Sequence, residues 1–140
     1  MSKKFVDQIR SNNQIAISKA ITSVESGDIL NKSFLDEIYK YSTSSLRIGI
    51  TGPPGAGKST LTDKLIDKFL QSNKSVGVIA VDPTSPFTGG ALLGDRVRMN
   101  NYLWNDDVFI RSLGARGELG GLSKKTQEIG DILAASRKDI

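Results

Sequence analysis

Apolar residues in the first forty positions recur three and four apart, the spacing of one face of a helix. Phe5, Val6 and Ile9 mark a short helix over residues 2–11, and Asn12 and Asn13 are good cap residues for a second. In that second helix Ile17, Ala20, Ile21 and Val24 share a face, and Ser26-Gly27-Asp28 stops it. A third helix covers residues 34–39, with Phe34, Leu35 and Ile38 on its buried side. Ser42-Thr43-Ser44-Ser45 then reads as a linker.

At residue 46 the pattern changes. Leu46, Ile48 and Ile50 alternate with Arg47 and Gly49, which predicts a short strand over residues 46–50. After a glycine-rich break, Leu61, Leu65 and Phe69 stand four apart and predict a helix on which they share one face. A turn over residues 71–75 leads into Val76-Gly77-Val78-Ile79-Ala80-Val81, nearly all apolar, as suits a strand buried on both faces of a parallel sheet. Residues 83–94 hold three glycines and two prolines, a loop of the length that usually has a function. A helical stretch over 95–99, a strand over 108–111, a second glycine-rich loop over 114–121 and a last helix with Leu122, Ile129 and Leu133 on one face complete the pattern. Trp104 and the two methionines read as core or helix-face residues.

Composition narrows the class. Hydrophobic residues at 38% and charged residues at 24% describe a soluble globular chain rather than a disordered one. The net charge of +4 is spread without long blocks, so a solvated surface of mixed sign is expected and not a nucleic-acid footprint. No apolar run approaches the roughly 20 residues of a membrane span, and the N-terminus lacks the apolar core of a secretory signal. Cysteine is absent, which suits a reducing cytoplasm. Histidine is absent too, removing the commonest general base and transition-metal ligand.

The chemistry lies in the break between the first strand and its helix. Gly52-Pro53-Pro54-Gly55-Ala56-Gly57-Lys58-Ser59 fits G-x-x-x-x-G-K-[ST] at every fixed position, and Thr60 completes the stretch. Glycine keeps side chains away so that successive backbone N–H groups can curl around an anion. The helix beyond adds unpaired N–H groups and the positive end of its dipole. Lys58 would reach the outer phosphates, and Ser59 would offer its hydroxyl to Mg²⁺.

The strand–loop–helix order implies an α/β fold, the three-layer phosphate-loop NTPase architecture with a mainly parallel sheet, preceded by a helical extension. The expected division is residues 1–41 for the extension and 42–140 for the phosphate-loop domain. The sheet reads as incomplete: such a domain needs another central strand beside the first, so the chain reads as the N-terminal portion of a longer protein.

A strand, a helix and a parallel strand make a right-handed crossover that brings Asp82 to the same sheet edge as the phosphate loop. Asp82 either caps a turn before Pro83 or holds Mg²⁺ directly or through water. Asp95 has the same alternatives, as a helix cap or a metal contact. Arg96, Arg98, Arg111 and Arg116 could compensate phosphate charge, with surface solvation the default for each.

Two segments, VIAVDPTSPFTGGALLGDRVRM and VFIRSLGARGELGGLS, resemble the GTPases that accompany methylmalonyl-CoA mutase, as does the loop GPPGAGKST. These are the MeaB-type proteins, also called ArgK, with the methylmalonic aciduria type A protein as human counterpart. The resemblance covers roughly residues 10–140. It implies a Mg²⁺-dependent GTPase, homodimeric at full length, that gates adenosylcobalamin delivery to the mutase and protects the mutase from inactivation. It implies phosphate and metal binding at Lys58 and Ser59. Asp82, Asp95, Arg96 and Arg98 would lie in or beside a first switch region, with the metal contact at Asp82 or Asp95. Catalysis would rest on Lys58, Asp82 and Asp95. The second switch, the base-reading motif and the C-terminal arm of such proteins have no counterpart in these 140 residues. GTP is therefore implied by the resemblance alone. An ATP-dependent kinase or transport-associated ATPase, or a nucleotide-binding fragment without turnover, fits the loop as well.

Overall fold

The computed structural model describes residues 3–27, 32–42, 44–82, 100–102, 104–114 and 124–140. Expectations on residues 83–99 and 115–123, including the helical stretch at 95–99 and the second glycine-rich loop, fall outside the described residues. The chain divides into two compact units, Met1–Leu46 with Gly121–Asp139, and Arg47–Gly120 with Ile140.

The first unit is helical. Helix α1 (Lys3–Arg10) buries Val6 and Ile9, and Asn12 reverses the chain with a left-handed φ of 60°, a conformation asparagine tolerates better than most residues. Helix α2 (Gln14–Ser26) is capped as the sequence suggests: the Asn13 carboxamide oxygen accepts the Ala16 N–H at 2.9 Å. Its buried residues are Ala16, Ile17, Ala20, Ile21 and Val24, and Gly27 ends it in the left-handed conformation. Helix α3 (Lys32–Tyr39) buries Phe34 and Ile38, while Leu35 is only half-buried. The Phe5 and Phe34 rings stand 5.8 Å apart, and the Arg10 guanidinium lies 4.0 Å from the Tyr41 ring centre. The last helix of the chain, Lys124–Ala135, packs on α2 and α3. It buries Ile129, Ile132 and Leu133, and the Lys125 ammonium donates to the Glu25 carbonyl oxygen of α2.

The second unit carries the α/β elements. Helix α4 (Lys58–Gln71) follows the glycine-rich loop, and strand β1 (Val76–Asp82) pairs in parallel with β2 (Val108–Gly114). Register runs from Val76 opposite Val108 to Asp82 opposite Gly114. The last helix of the chain is accordingly α5. Ile66 of α4, Val76 of β1, Val108 of β2 and Tyr102, from a 3₁₀ turn over Asn100–Tyr102, form the core.

Three expectations change. Residues 46–50 join no ladder among the described residues; Leu46 N–H donates to the Asp139 carbonyl, and Ile48 is exposed. A strand exists only through its partner's hydrogen bonds, and among the described residues none pairs with this one. Strand β1 likewise is not buried on both faces: Val76 is buried, residues 77–80 are half-buried and Val81 is exposed. Trp104, expected in a core or on a helix face, is 95% exposed on the turn before β2, because Tyr102 takes the inward position two residues earlier.

Ile140 pairs with the edge of β1 that faces away from β2. Its N–H donates to Ser75 O at 3.1 Å, and its carbonyl accepts from Gly77 N–H at 2.8 Å. Val76 N–H, by contrast, points to the β2 side and Asp107 O. Two bonds flanking one residue are the parallel-bridge pattern.

Candidate phosphate-binding site

The phosphate loop is built by backbone conformation. Gly55 (φ 77°) and Gly57 (φ 91°) both take left-handed values, which any residue with a Cβ would adopt at a cost. A turn bond from Ala56 N–H to Pro53 O closes the loop at 3.2 Å. Gly57 is the N-cap of α4, and its carbonyl accepts the Leu61 N–H at 2.9 Å. Having no side chain, it makes no capping bond to the first-turn amides of α4, the groups that a helix start ordinarily turns toward an anion.

Lys58 opens α4, and its ammonium reaches back over the loop. Nζ donates to the carbonyl oxygens of Gly52 at 2.7 Å and Pro53 at 2.9 Å. Residues 52–57 are exposed, and Lys58 and Ser59 are half-buried beside them. The Thr62 hydroxyl is committed to the Lys58 carbonyl at 2.8 Å, and Ser59 follows Lys58 in the first turn of α4.

A groove of about 220 Å³ runs from Lys58 and Ser59 between Ile48, Ile50 and β1 toward Ile140. Its walls are largely Ile48, Ile50, Leu65, Ile66, Phe69 and Val78. This apolar surface suits packed side chains, not phosphates. The candidate anion seat is the exposed loop at its end.

The structure brings Gly52, Pro53, Pro54, Gly55, Ala56, Gly57, Lys58, Ser59 and Thr60 into one loop and helix start. Asp82 closes β1 opposite Gly114; its side chain lies outside what the structure describes. Asp95, Arg96, Arg98 and Arg116 also lie outside the described residues. Arg111 sits in β2 opposite Ile79. Among the described residues no three acidic side chains gather as a metal cage. A magnesium ion at the loop would draw on the Ser59 hydroxyl and on phosphate oxygens, the ligation that ion ordinarily takes.

Tyr102 was not singled out by the sequence. Its hydroxyl donates to Asp67 Oδ1 at 2.7 Å and approaches Asp63 O at 3.2 Å, both on α4. Burial, then the bonds to Asp67 and Asp63, pushes the phenol well above its ordinary value. Nothing in NNYLWNDD marks it, because its partners lie 35 and 39 residues upstream.

Comparison with known proteins decides the family. Residues 17–140 match the family model described as methylmalonyl-CoA mutase-associated GTPase MeaB. The chain belongs to the MeaB family. A putative GTPase of Pyrococcus horikoshii is 49% identical over 137 residues, covering 98% of this chain and 43% of that protein. The GTPase ArgK of Escherichia coli is 37% identical over 139 residues, covering 96% of this chain and 42% of ArgK. A mitochondrial methylmalonic aciduria type A homolog of Caenorhabditis elegans is 36% identical over 153 residues, covering 99% of this chain and 38% of the homolog. The MeaB chain thus spans about two-fifths of the length of these relatives. Among its described residues, no helix is long and apolar enough to cross a membrane.

Proposed function

We propose that this chain supplies the phosphate-binding part of a Mg²⁺-dependent GTPase that serves an adenosylcobalamin-dependent methylmalonyl-CoA mutase, loading and protecting its cofactor. The carrying observation is the loop itself: left-handed Gly55 and Gly57, an α4 start without a side-chain cap, and Lys58 folded over the loop mouth. GTP rests on the names of the relatives. The mutase rests on the family's description. Within the same reading, residues 1–41 are a helical extension and 42–140 the start of the GTPase domain. The full-length protein is a cytoplasmic homodimer, and the groove ending at Ile140 receives a further central strand.

For the reaction, Lys58 exchanges the Gly52 and Pro53 carbonyls for the β- and γ-phosphate oxygens, while loop and first-turn amides hold the remaining oxygens. Magnesium, when bound, neutralises charge on those phosphates. Ser59 would hold it, with Asp82 or Asp95 contributing directly or through water. Lys58 then stabilises the charge that develops as water attacks the γ-phosphate. Arg96 and Arg98 belong to the switch that responds to that phosphate.

A competition between equal concentrations of GTP and ATP, with Mg²⁺, tests the assignment. GTP should occupy the site. ATP occupying it equally or better would favour the kinase or transport-ATPase reading.

A further inference from the structure

Helix α4 carries the residues assigned to phosphate and metal, yet of its 14 residues Ile66 is the one that is buried. Phe69 and Leu70 pack half-buried against the same core farther along the helix, so these apolar contacts run from its middle toward its C-terminal end and not beside Lys58 and Ser59. Tyr102 supplies a further attachment. Its ring is 6% exposed and packs with Ile66, Val76 and Val108, and its hydroxyl meets Asp67 Oδ1 and Asp63 O. A phenol has one hydrogen to donate, and the 2.7 Å contact to the Asp67 carboxylate is the one that carries it. Asp63 and Asp67 stand four apart, stacked on one side of the helix, so the bond at Asp67 fixes the turn that follows Asp63. The turn at Asp63 follows directly on the turn that begins with Lys58 and Ser59.

We propose that Tyr102 is a positioning residue for the phosphate loop: its buried hydroxyl holds α4 at Asp67 and thereby sets where Lys58 and Ser59 meet the phosphates. This rests on the nucleotide-binding reading above. Because the hydroxyl must remain a donor, the upward push on the phenol by burial and by both aspartates extends the attachment beyond the pH at which an ordinary tyrosine ionises.

The test measures binding of Mg²⁺–GTP and of inorganic pyrophosphate by calorimetry, alongside thermal melting, in the full chain and four variants. Tyr102→Phe keeps the ring and removes the hydroxyl. Asp67→Ala removes the acceptor, and Asp67→Asn keeps an acceptor oxygen. Val108→Ala thins the same core without touching the bond. Tyr102→Phe and Asp67→Ala should each weaken both ligands about tenfold, equivalent to 1.4 kcal/mol. Asp67→Asn should bind within about twofold of the unaltered chain, and Val108→Ala should melt earlier with affinity unchanged. Unchanged binding in Tyr102→Phe, or a loss in Val108→Ala that follows its melting temperature, would overturn the proposal while leaving the nucleotide reading in place. If the unaltered chain binds neither ligand, the nucleotide reading fails and this inference with it.

Discussion

The Lys58 ammonium lies 2.7 Å from the carbonyl oxygen of Gly52, the first residue of the same loop. With Pro53 O at 2.9 Å, the contact turns the lysine into a brace across the loop mouth. Under the proposed function a triphosphate would meet a loop already drawn into shape, and its oxygens would compete with two neutral carbonyls for one cation. Phosphate wins such a contest because a charged acceptor bonds an ammonium roughly twice as strongly as a neutral one.

Gly57 and Gly27 make a matched pair. Both are left-handed, at φ 91° and 70°, and an added Cβ at either would meet no atom within 4 Å. An alanine at each should thus cost about 1–2 kcal/mol from backbone strain alone. Chemical denaturation should show comparable losses for Gly57→Ala and Gly27→Ala. GTP titration should show weakened binding for Gly57→Ala alone, because only that glycine starts the phosphate-loop helix.

Asn13 is a purely structural residue. Its side chain caps α2 through the Ala16 N–H, and Asn13→Ala should reduce stability by about 1 kcal/mol. Nucleotide affinity should not change. Denaturation and calorimetry on the same preparation check both statements.

Tyr102 predicts an alkaline signature. A phenol raised on folding contributes stability that is fully present below its unfolded value of about 10 and is lost as pH rises through the folded value. Ultraviolet titration of the folded protein to pH of about 11 should therefore give the same phenolate absorbance in the unaltered chain and in Tyr102→Phe. A smaller rise in the variant would show that Tyr102 ionises normally.

What could be read from the sequence was what neighbouring residues determine. Helix α2 was legible because cap, apolar period and stop lie within fifteen residues, from Asn13 to Gly27. The phosphate loop was legible because its backbone needs particular residues at particular spacings. Residues 46–50 carry strand spacing, but pairing belongs to a partner, and the pattern could not show that no described strand pairs with them. Tyr102 and Trp104 look alike in sequence, two aromatics in one polar stretch. Only the fold decides that the tyrosine turns inward to Asp67 while the tryptophan faces out. The MeaB resemblance at residues 78–122 pointed to the family, but its acidic and arginine assignments fall where the structure describes no side chains.

The most direct measurement of the central claim is a calorimetric titration with GTP and Mg²⁺, repeated with Lys58→Ala. Lys58 makes only exposed bonds to its own loop, so the variant should melt like the unaltered chain. Its GTP affinity should nevertheless fall roughly a hundredfold, the effect of losing two charge-assisted bonds at about 1.5 kcal/mol each. Equal GTP binding by the two proteins would contradict the account.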